Sequence, residues 1–157
     1  MYDSYLNSYL NVIQLLPRIH RLFMDMIKID LQELDIHDIN NVQSIMLFYI
    51  GDTELTMGEL TSRGVYIGSN LAYNVKKMVE SGYLTQEHSL YDRRVSYVCL
   101  TEKGRKLREE LTMVHRRRID LPPQGALSSD DLQTATSVLR LLDQFLTDVA
   151  DRRRGSP

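Results

Sequence analysis

Cysteine is almost absent from this chain. Cys99 is the only one, which excludes an intramolecular disulfide framework and fits a reducing compartment. Long uncharged apolar runs are missing too, so no transmembrane helix and no membrane partner are expected. The first twenty residues contain Asp3 and Arg18 and show no basic start followed by an apolar stretch. That pattern argues against a secretory signal, and the expectation is a cytoplasmic protein. There is no internal repeat, no phosphate-binding loop, no nucleophile elbow and no paired cysteine or histidine motif, so neither an enzyme nor a cofactor is expected. The four histidines, His20, His37, His88 and His115, are scattered. His37 lies between Asp35 and Asp38, but no second histidine follows at helical spacing, and no metal site is expected.

What is present reads as one domain, or one domain with a helical arm: 157 residues, 43% hydrophobic and 25% charged, ordinary values for a globular protein. The net charge of −2 speaks against a polyanionic partner only as an average. Residues 1–62 hold three basic and nine acidic residues, a net of −6. Residues 63–118 hold twelve basic and six acidic, a net of +6, and residues 119–157 return to −2. A basic block between acidic flanks points to a polyanion-binding surface.

Periodicity organises the rest. Ile19, Leu22, Phe23, Met26, Ile27, Leu31 and Leu34 recur at three- and four-residue steps and predict an amphipathic helix. Tyr5, Leu6, Tyr9, Leu10, Ile13 and Leu16 form a second stripe, and Pro17 either kinks one long helix or separates two. Asp38 or Asn40 is placed to cap a helix through Ile45, Met46, Phe48 and Tyr49. Thr56 and Glu59 form a capping box for a short helix ending near Arg63. After a glycine-flanked turn, Ser69 caps a helix that ends at Ser81-Gly82. Tyr83 to Gln86 and Val95 to Leu100 read as the strands of a hairpin around a polar turn. Thr101 caps a long charged helix toward Arg118, and Pro122-Pro123 breaks it. Ser128 or Ser129 opens a last helix through Val149, with Asp151 to Pro157 as a frayed tail.

Two short helices joined by a turn and followed by a hairpin are the order of a winged helix-turn-helix. In the second helix Leu71, Val75, Met78 and Val79 share one face, leaving Ser69, Asn70, Tyr73, Asn74, Lys76 and Lys77 largely off it. Amides, hydroxyls and amines are what base edges and phosphates require, although any soluble helix has a polar face. Thr56, opening the preceding helix, joins this candidate DNA-contact set. The hairpin turn adds Arg93 and Arg94, suited to a narrow minor groove, with Asp92 placed to orient one guanidinium. Helix, wing and positive charge occur in one contiguous segment.

Asp92-Arg93-Arg94-Val95 followed by Leu100-Thr101-Glu102-Lys103-Gly104-Arg105 resembles the wing signature of MarR-type transcriptional regulators, and Lys77 to Leu84 resembles the passage from that family's recognition helix into its wing. The resemblance implies a mainly α fold with a small β-hairpin wing, and a homodimer paired through N- and C-terminal helices. On that plan residues 1–37 and 119–157 form the helical dimerisation region, and 38–118 the winged helix-turn-helix. It also implies double-stranded DNA as partner, pseudo-palindromic operators, and a repressor more often than an activator. A small apolar or phenolic effector would bind where the dimer helices meet the winged domain, near Ile19, His20, Phe23, Met26, Ile27, Met46 and Tyr49. Independently, both terminal stripes carry more apolar residues than so small a domain needs to cover, as expected of a two-fold interface. Cys99, between Val98 and Leu100 with no adjacent lysine or histidine, reads as a small strand residue rather than a redox sensor. Arg116-Arg117-Arg118 serves either a helix C-terminus or backbone phosphates. The alternative to a DNA-binding regulator is a winged helix used purely for protein interaction.

Overall fold

The computed structural model describes residues 2–63, 70–120 and 127–154. Contacts divide the chain into two compact units, Met1–Arg118 and Ile119–Pro157. The elements are α1 (Tyr2–Glu33), α2 (Asn41–Ile50), β1 (Leu55–Thr56), α3 (Met57–Ser62), α4 (Leu71–Glu80), β2 (Leu84–His88), β3 (Ser96–Leu100), α5 (Glu102–Asp120) and α6 (Ser129–Arg154). No helix among the described residues is long and apolar enough to cross a membrane.

The two N-terminal stripes belong to one helix. α1 continues through Pro17, although proline removes one helical hydrogen bond there. Burial of its apolar stripe begins only at Ile27: Ile27 and Leu31 enter the core, whereas Tyr5, Leu10, Leu15 and Ile19 are exposed. Of the two candidate caps for α2, Asn40 is the one used. Its side chain accepts from the Gln43 amide at 2.8 Å, and its own amide donates to the Gln43 side chain at 3.0 Å. α6 is capped by Ser128, whose Oγ accepts from the Asp131 amide at 3.0 Å. It runs on to Arg154, so Asp151 to Arg154 are helical rather than frayed. Three arginines in that last turn complement the helix dipole.

The hairpin gains a third strand. β1 pairs antiparallel with β3 through Leu55 opposite Val98, and the sheet order is β1-β3-β2. A two-residue strand carries no periodicity, so the sequence pattern could not announce it. β2 and β3 pair from Leu84–Leu100 at one end to His88–Ser96 at the other. Ser96, Val98 and Leu100 point inward and Tyr97 and Cys99 are half-buried, which is the alternation expected of a strand with one covered face. The core joins Ile27 and Leu31 with Met46, Leu47 and Ile50 of α2, Leu60 of α3, Val75 and Met78 of α4, the sheet, and Leu107 and Leu111 of α5.

One ion pair of this unit has a fully buried carboxylate. Asp30 of α1 is fully buried, and Arg118 of α5 grips it at 2.5 and 3.3 Å. The same guanidinium lies 3.2 Å from His115 Nδ1. A buried carboxylate is tolerable only with such bidentate, hydrogen-bonded compensation. Arg118 thereby spends its charge on Asp30.

Candidate nucleic-acid interface

α4 shows why its polar residues must be sorted one by one. Val75 and Met78 are fully covered, and Asn74 beside them is 6% exposed. Its Oδ1 accepts from Gln43 Nε2 at 3.1 Å, and its Nδ2 donates to the Asn70 carbonyl at 3.1 Å. Both ends of the amide are therefore used inside the protein, coupling α2 to α4. The expectation of Asn74 as a base-reading residue is corrected: it lies one turn from Leu71 and from Met78, on the inward face. Asn70, Tyr73, Lys76 and Lys77 do stand on the outer face. Ser69 lies outside the described residues.

The exposed groups differ in how free they are. Lys77 is held 2.8 Å from Glu80 and sits 5.9 Å above the Tyr73 ring. The Glu80 hydrogen bond pushes the amine of Lys77 above its ordinary range and holds the Glu80 carboxyl below its own. Lys76 makes no ion pair among the described residues. Thr56 is occupied. Its Oγ1 accepts from the Glu59 amide at 3.1 Å and donates to the Glu59 carboxylate at 2.9 Å, closing the expected capping box. Hydrogen bonds from the Thr56 backbone and then its hydroxyl hold the Glu59 carboxyl below the usual range. Thr56 thus positions α3 and has no hydroxyl to spare for a phosphate.

The wing turn, Ser89 to Val95, is fastened by its own polar groups. Ser89 Oγ accepts from the amides of Tyr91 and Asp92 at 3.2 and 3.3 Å, and Asp92 Oδ1 accepts from the Arg94 amide at 3.0 Å. The pairing expected of Asp92 is looser than a bidentate fork: Arg94 Nε lies 3.6 Å from Asp92 Oδ1. Arg93 makes no ion pair among the described residues. Leu90 and Tyr91, which carry no signal in the sequence pattern, stand fully in solvent between them and the strand end.

The segment from Leu100 to Arg105 is a joint between wing and helix rather than a contact surface. Gly82, with φ of +78°, ends α4 in a left-handed turn, and the Tyr83 amide bonds back to the Met78 carbonyl at 2.8 Å. Thr101 Oγ1 donates to the Gly82 carbonyl at 2.6 Å and accepts from the Gly104 amide at 3.1 Å, capping α5. A Cβ on Gly104 would stand 2.3 Å from the Tyr83 carbonyl oxygen, so only glycine fits. Arg105 donates to the Leu100 carbonyl at 2.8 Å. Lys103 donates to Asp38 at 2.6 Å and to the Ser81 carbonyl at 2.8 Å, and lies 4.0 Å over the Tyr83 ring. Tyr83 in turn donates to Asp38 at 2.7 Å. Partial burial pushes the Asp38 carboxyl up, but the bonds from Lys103 and Tyr83 outweigh it and hold the group below its ordinary range. Burial first, then the bond to Asp38, pushes the Tyr83 phenol well up.

Much of the positive charge in residues 63–118 is consumed by such contacts. Lys103, Arg105, Arg108 and Arg118 all have acidic partners. Among the described residues Lys76 and Arg93 remain unpaired on α4 and the wing, and Arg116 and Arg117 near the end of α5.

The expected effector residues differ in exposure. Ile27 and Met46 are fully buried in the core, Met26 is half-buried, and Ile19, His20, Phe23 and Tyr49 are exposed. Phe23 stacks at 6.4 Å on His115, which Phe48 flanks at 6.0 Å. A cleft of about 510 Å³ opens elsewhere, beside Lys28, Gln32, His37 and Asn40. His37 lies 2.8 Å from Asp35, and no cluster able to hold a metal exists among the described residues. Cys99 Sγ is 2.9 Å from Thr85 Oγ1 across the hairpin.

Residues 37–95 match the model of the MarR family. The chain is 31% identical over 141 residues to the exopolysaccharide II synthesis transcriptional activator ExpG of Rhizobium meliloti strain 1021, covering 90% of this chain and 73% of the relative. Its fold is similar to that of Streptococcus pneumoniae FabT, solved in complex with DNA, with a TM-score of 0.68 and 20% identity over 90% of this chain and 99% of that one. Streptomyces coelicolor Sco3205, a MarR family regulator also solved in complex with DNA, gives 0.66 and 18% over 89% and 88%. A winged module closed by the Leu100–Arg105 joint, together with these matches, shows that the chain belongs to the MarR family of transcriptional regulators.

Proposed function

We propose that this protein is a homodimeric, DNA-binding regulator of pseudo-palindromic operators, acting in the cytoplasm. The observation that carries this reading is one rigidly jointed module that presents a polar helix face (Asn70, Tyr73, Lys76, Lys77) and an unpaired wing arginine, Arg93, beside it in the chain. α4 lies in the major groove, and Arg93 enters the minor groove, where the potential is most negative. Residues 1–37 and 119–157 act as dimerisation arms, burying their apolar stripes against a second copy. FabT and Sco3205 were solved with DNA, which supports the same use of this fold here. The family resemblance implies a repressor more often than an activator, whereas the rhizobial relative is a transcriptional activator. The sign of regulation follows from where the operator lies relative to the promoter, so one geometry serves either. A small apolar or phenolic ligand acts at the exposed part of the expected set, Ile19, His20, Phe23 and Tyr49, since Ile27 and Met46 are spent in the core.

Fluorescence anisotropy on duplexes selected by the protein from a genomic library tests the reading. Affinity is expected to fall steeply with salt. Arg93→Ala should weaken binding several-fold and lower the salt slope by about 1, with the oligomer intact. Retention of no fragment at low salt would leave the protein-interaction reading of the winged helix in its place.

A further inference from the structure

The wing tip carries two large side chains that neither its fold nor its turn requires. Leu90 and Tyr91 are 97% and 100% exposed, while no other large hydrophobic side chain among the described residues exceeds 74%. Single exposed apolar residues are commonplace on protein surfaces, where they usually rest on neighbours. These two adjacent ones rest on nothing. They are also poor turn formers, since tight turns favour Gly, Asn, Asp, Pro and Ser. The turn is made instead by Ser89 and Asp92, whose side chains bind the local amides, and by the Ser89 amide donating to the Val95 carbonyl at 2.8 Å. Leu90 and Tyr91 are thus held outward on a fastened backbone, with neither packing nor turn geometry to explain them.

Their surroundings select the occupant. Leu90 lines a shallow cleft of about 450 Å³ together with His88, Ser89 and Arg93, so an apolar side chain and an unpaired guanidinium share one side of the tip. Arg94 follows, its side chain 94% exposed. Apolar surface beside exposed guanidinium matches a DNA minor groove, where deoxyribose walls are apolar and phosphates line a channel roughly 6 Å wide. A protein surface offering equal apolar area would also need acidic groups facing both arginines.

We propose that Leu90 and Tyr91 are minor-groove contact residues, packing on the deoxyribose walls while Arg93 occupies the groove floor. The inference rests on the DNA-binding reading above and adds an apolar, uncharged contribution to it. Apolar contacts release no counterions, so their loss has a signature different from that of an arginine.

The test uses the full-length protein and a duplex that it has selected from a random pool. Leu90→Ser/Tyr91→Ser is expected to weaken binding roughly ten-fold, the size of one well-made contact, with the salt slope unchanged. Hydroxyl-radical footprinting, which reads deoxyribose accessibility in the minor groove, should lose protection at the wing position and keep it elsewhere. Melting temperature should not change, because neither side chain packs on the protein. Unchanged affinity and footprint in the double variant, with Arg93→Ala still impaired, would overturn the proposal and leave the DNA reading standing. A lowered melting temperature would overturn it as well, by showing that the pair is packed. If the wild-type chain selects no duplex, the DNA reading itself falls and takes this proposal with it.

Discussion

From Ile27 onward α1 lays its apolar stripe into the core shared with α2, whereas Tyr5, Leu10, Leu15 and Ile19, on the earlier turns of the same helix, are open to solvent. α6 resembles the open half: Leu132, Val138, Leu139 and Leu141 are exposed and no residue of that helix is buried. The spacing that produces both halves is the same. Periodicity therefore reports that a helix has an apolar face, and nothing about whether the covering surface lies in the same chain. The core that closes over the buried half also encloses polar groups. Asp30 sits at full burial one turn before Leu34, held by Arg118, and Gln43 and Asn74 satisfy each other beneath α4. Where a face is closed, its polar groups acquire definite partners.

Substitutions can break this contrast, ranked by their effect on folding. The largest belongs to Arg118. Arg118→Ala leaves the Asp30 carboxylate buried without its partner, and the loss expected is about 3–5 kcal/mol. Urea unfolding followed by circular dichroism would measure it. A loss below about 1 kcal/mol would mean that water or another cation reaches Asp30. Next comes Gly104→Ala, whose Cβ meets the backbone oxygen of Tyr83 rather than a flexible side chain. The cost expected is about 1–3 kcal/mol. It should be accompanied by a chemical-shift change along β2, since Tyr83 leads into that strand.

Much of the winged module was legible because its signals are local. Thr56–Glu59 and Thr101 announce helix starts within four residues, and Ser96, Val98 and Leu100 alternate as a strand must. The candidate DNA-contact set was legible only in outline. Asn74 shares the face of Leu71 and Met78, but its partner there is Gln43, thirty-one residues earlier, and no spacing rule along α4 reveals that partner. Thr56 was singled out both as a cap and as a DNA contact, and its hydroxyl is engaged in the first of these. The basic block was real, yet its meaning depended on pairing: Arg108 with Asp52 and Arg118 with Asp30 are contacts across 56 and 88 residues. Charge counts along a sequence cannot distinguish such cations from Lys76 or Arg93. The third strand escaped because its register with Val98 is a tertiary fact.

A smaller effect separates half-exposed ion pairs from the buried one. Asp38 is held below its ordinary range by Lys103 and Tyr83 against partial burial. The folded value lies below the unfolded one, so this stabilisation is complete above the unfolded value of about 3.9 and fades as the pH falls through the folded value. Lys103→Met should flatten that acidic limb of the stability curve, with a change under about 1 kcal/mol because both partners are half exposed. Equal pH dependence in the two proteins would remove Asp38 from the account.

The smallest effect on folding is expected in the open region. Leu139 is half exposed on α6, a helix with no buried residue, and the substitution to make there is Leu139→Asp. Unfolding of the winged module, followed by the near-ultraviolet signal of Tyr83 and its neighbours, should shift by no more than about 0.5 kcal/mol at concentrations where the chain is monomeric. On the dimer proposed above, light scattering should nevertheless report a shift from dimer to monomer, because the same substitution places a charge in the stripe that would face the second copy. The two readouts separate the alternatives. If stability falls and the oligomer persists, the stripe packs within its own chain and α6 is an ordinary amphipathic helix. If the oligomer dissociates while the winged module melts unchanged, the open half of the molecule is an interface whose other side is another copy of the same sequence.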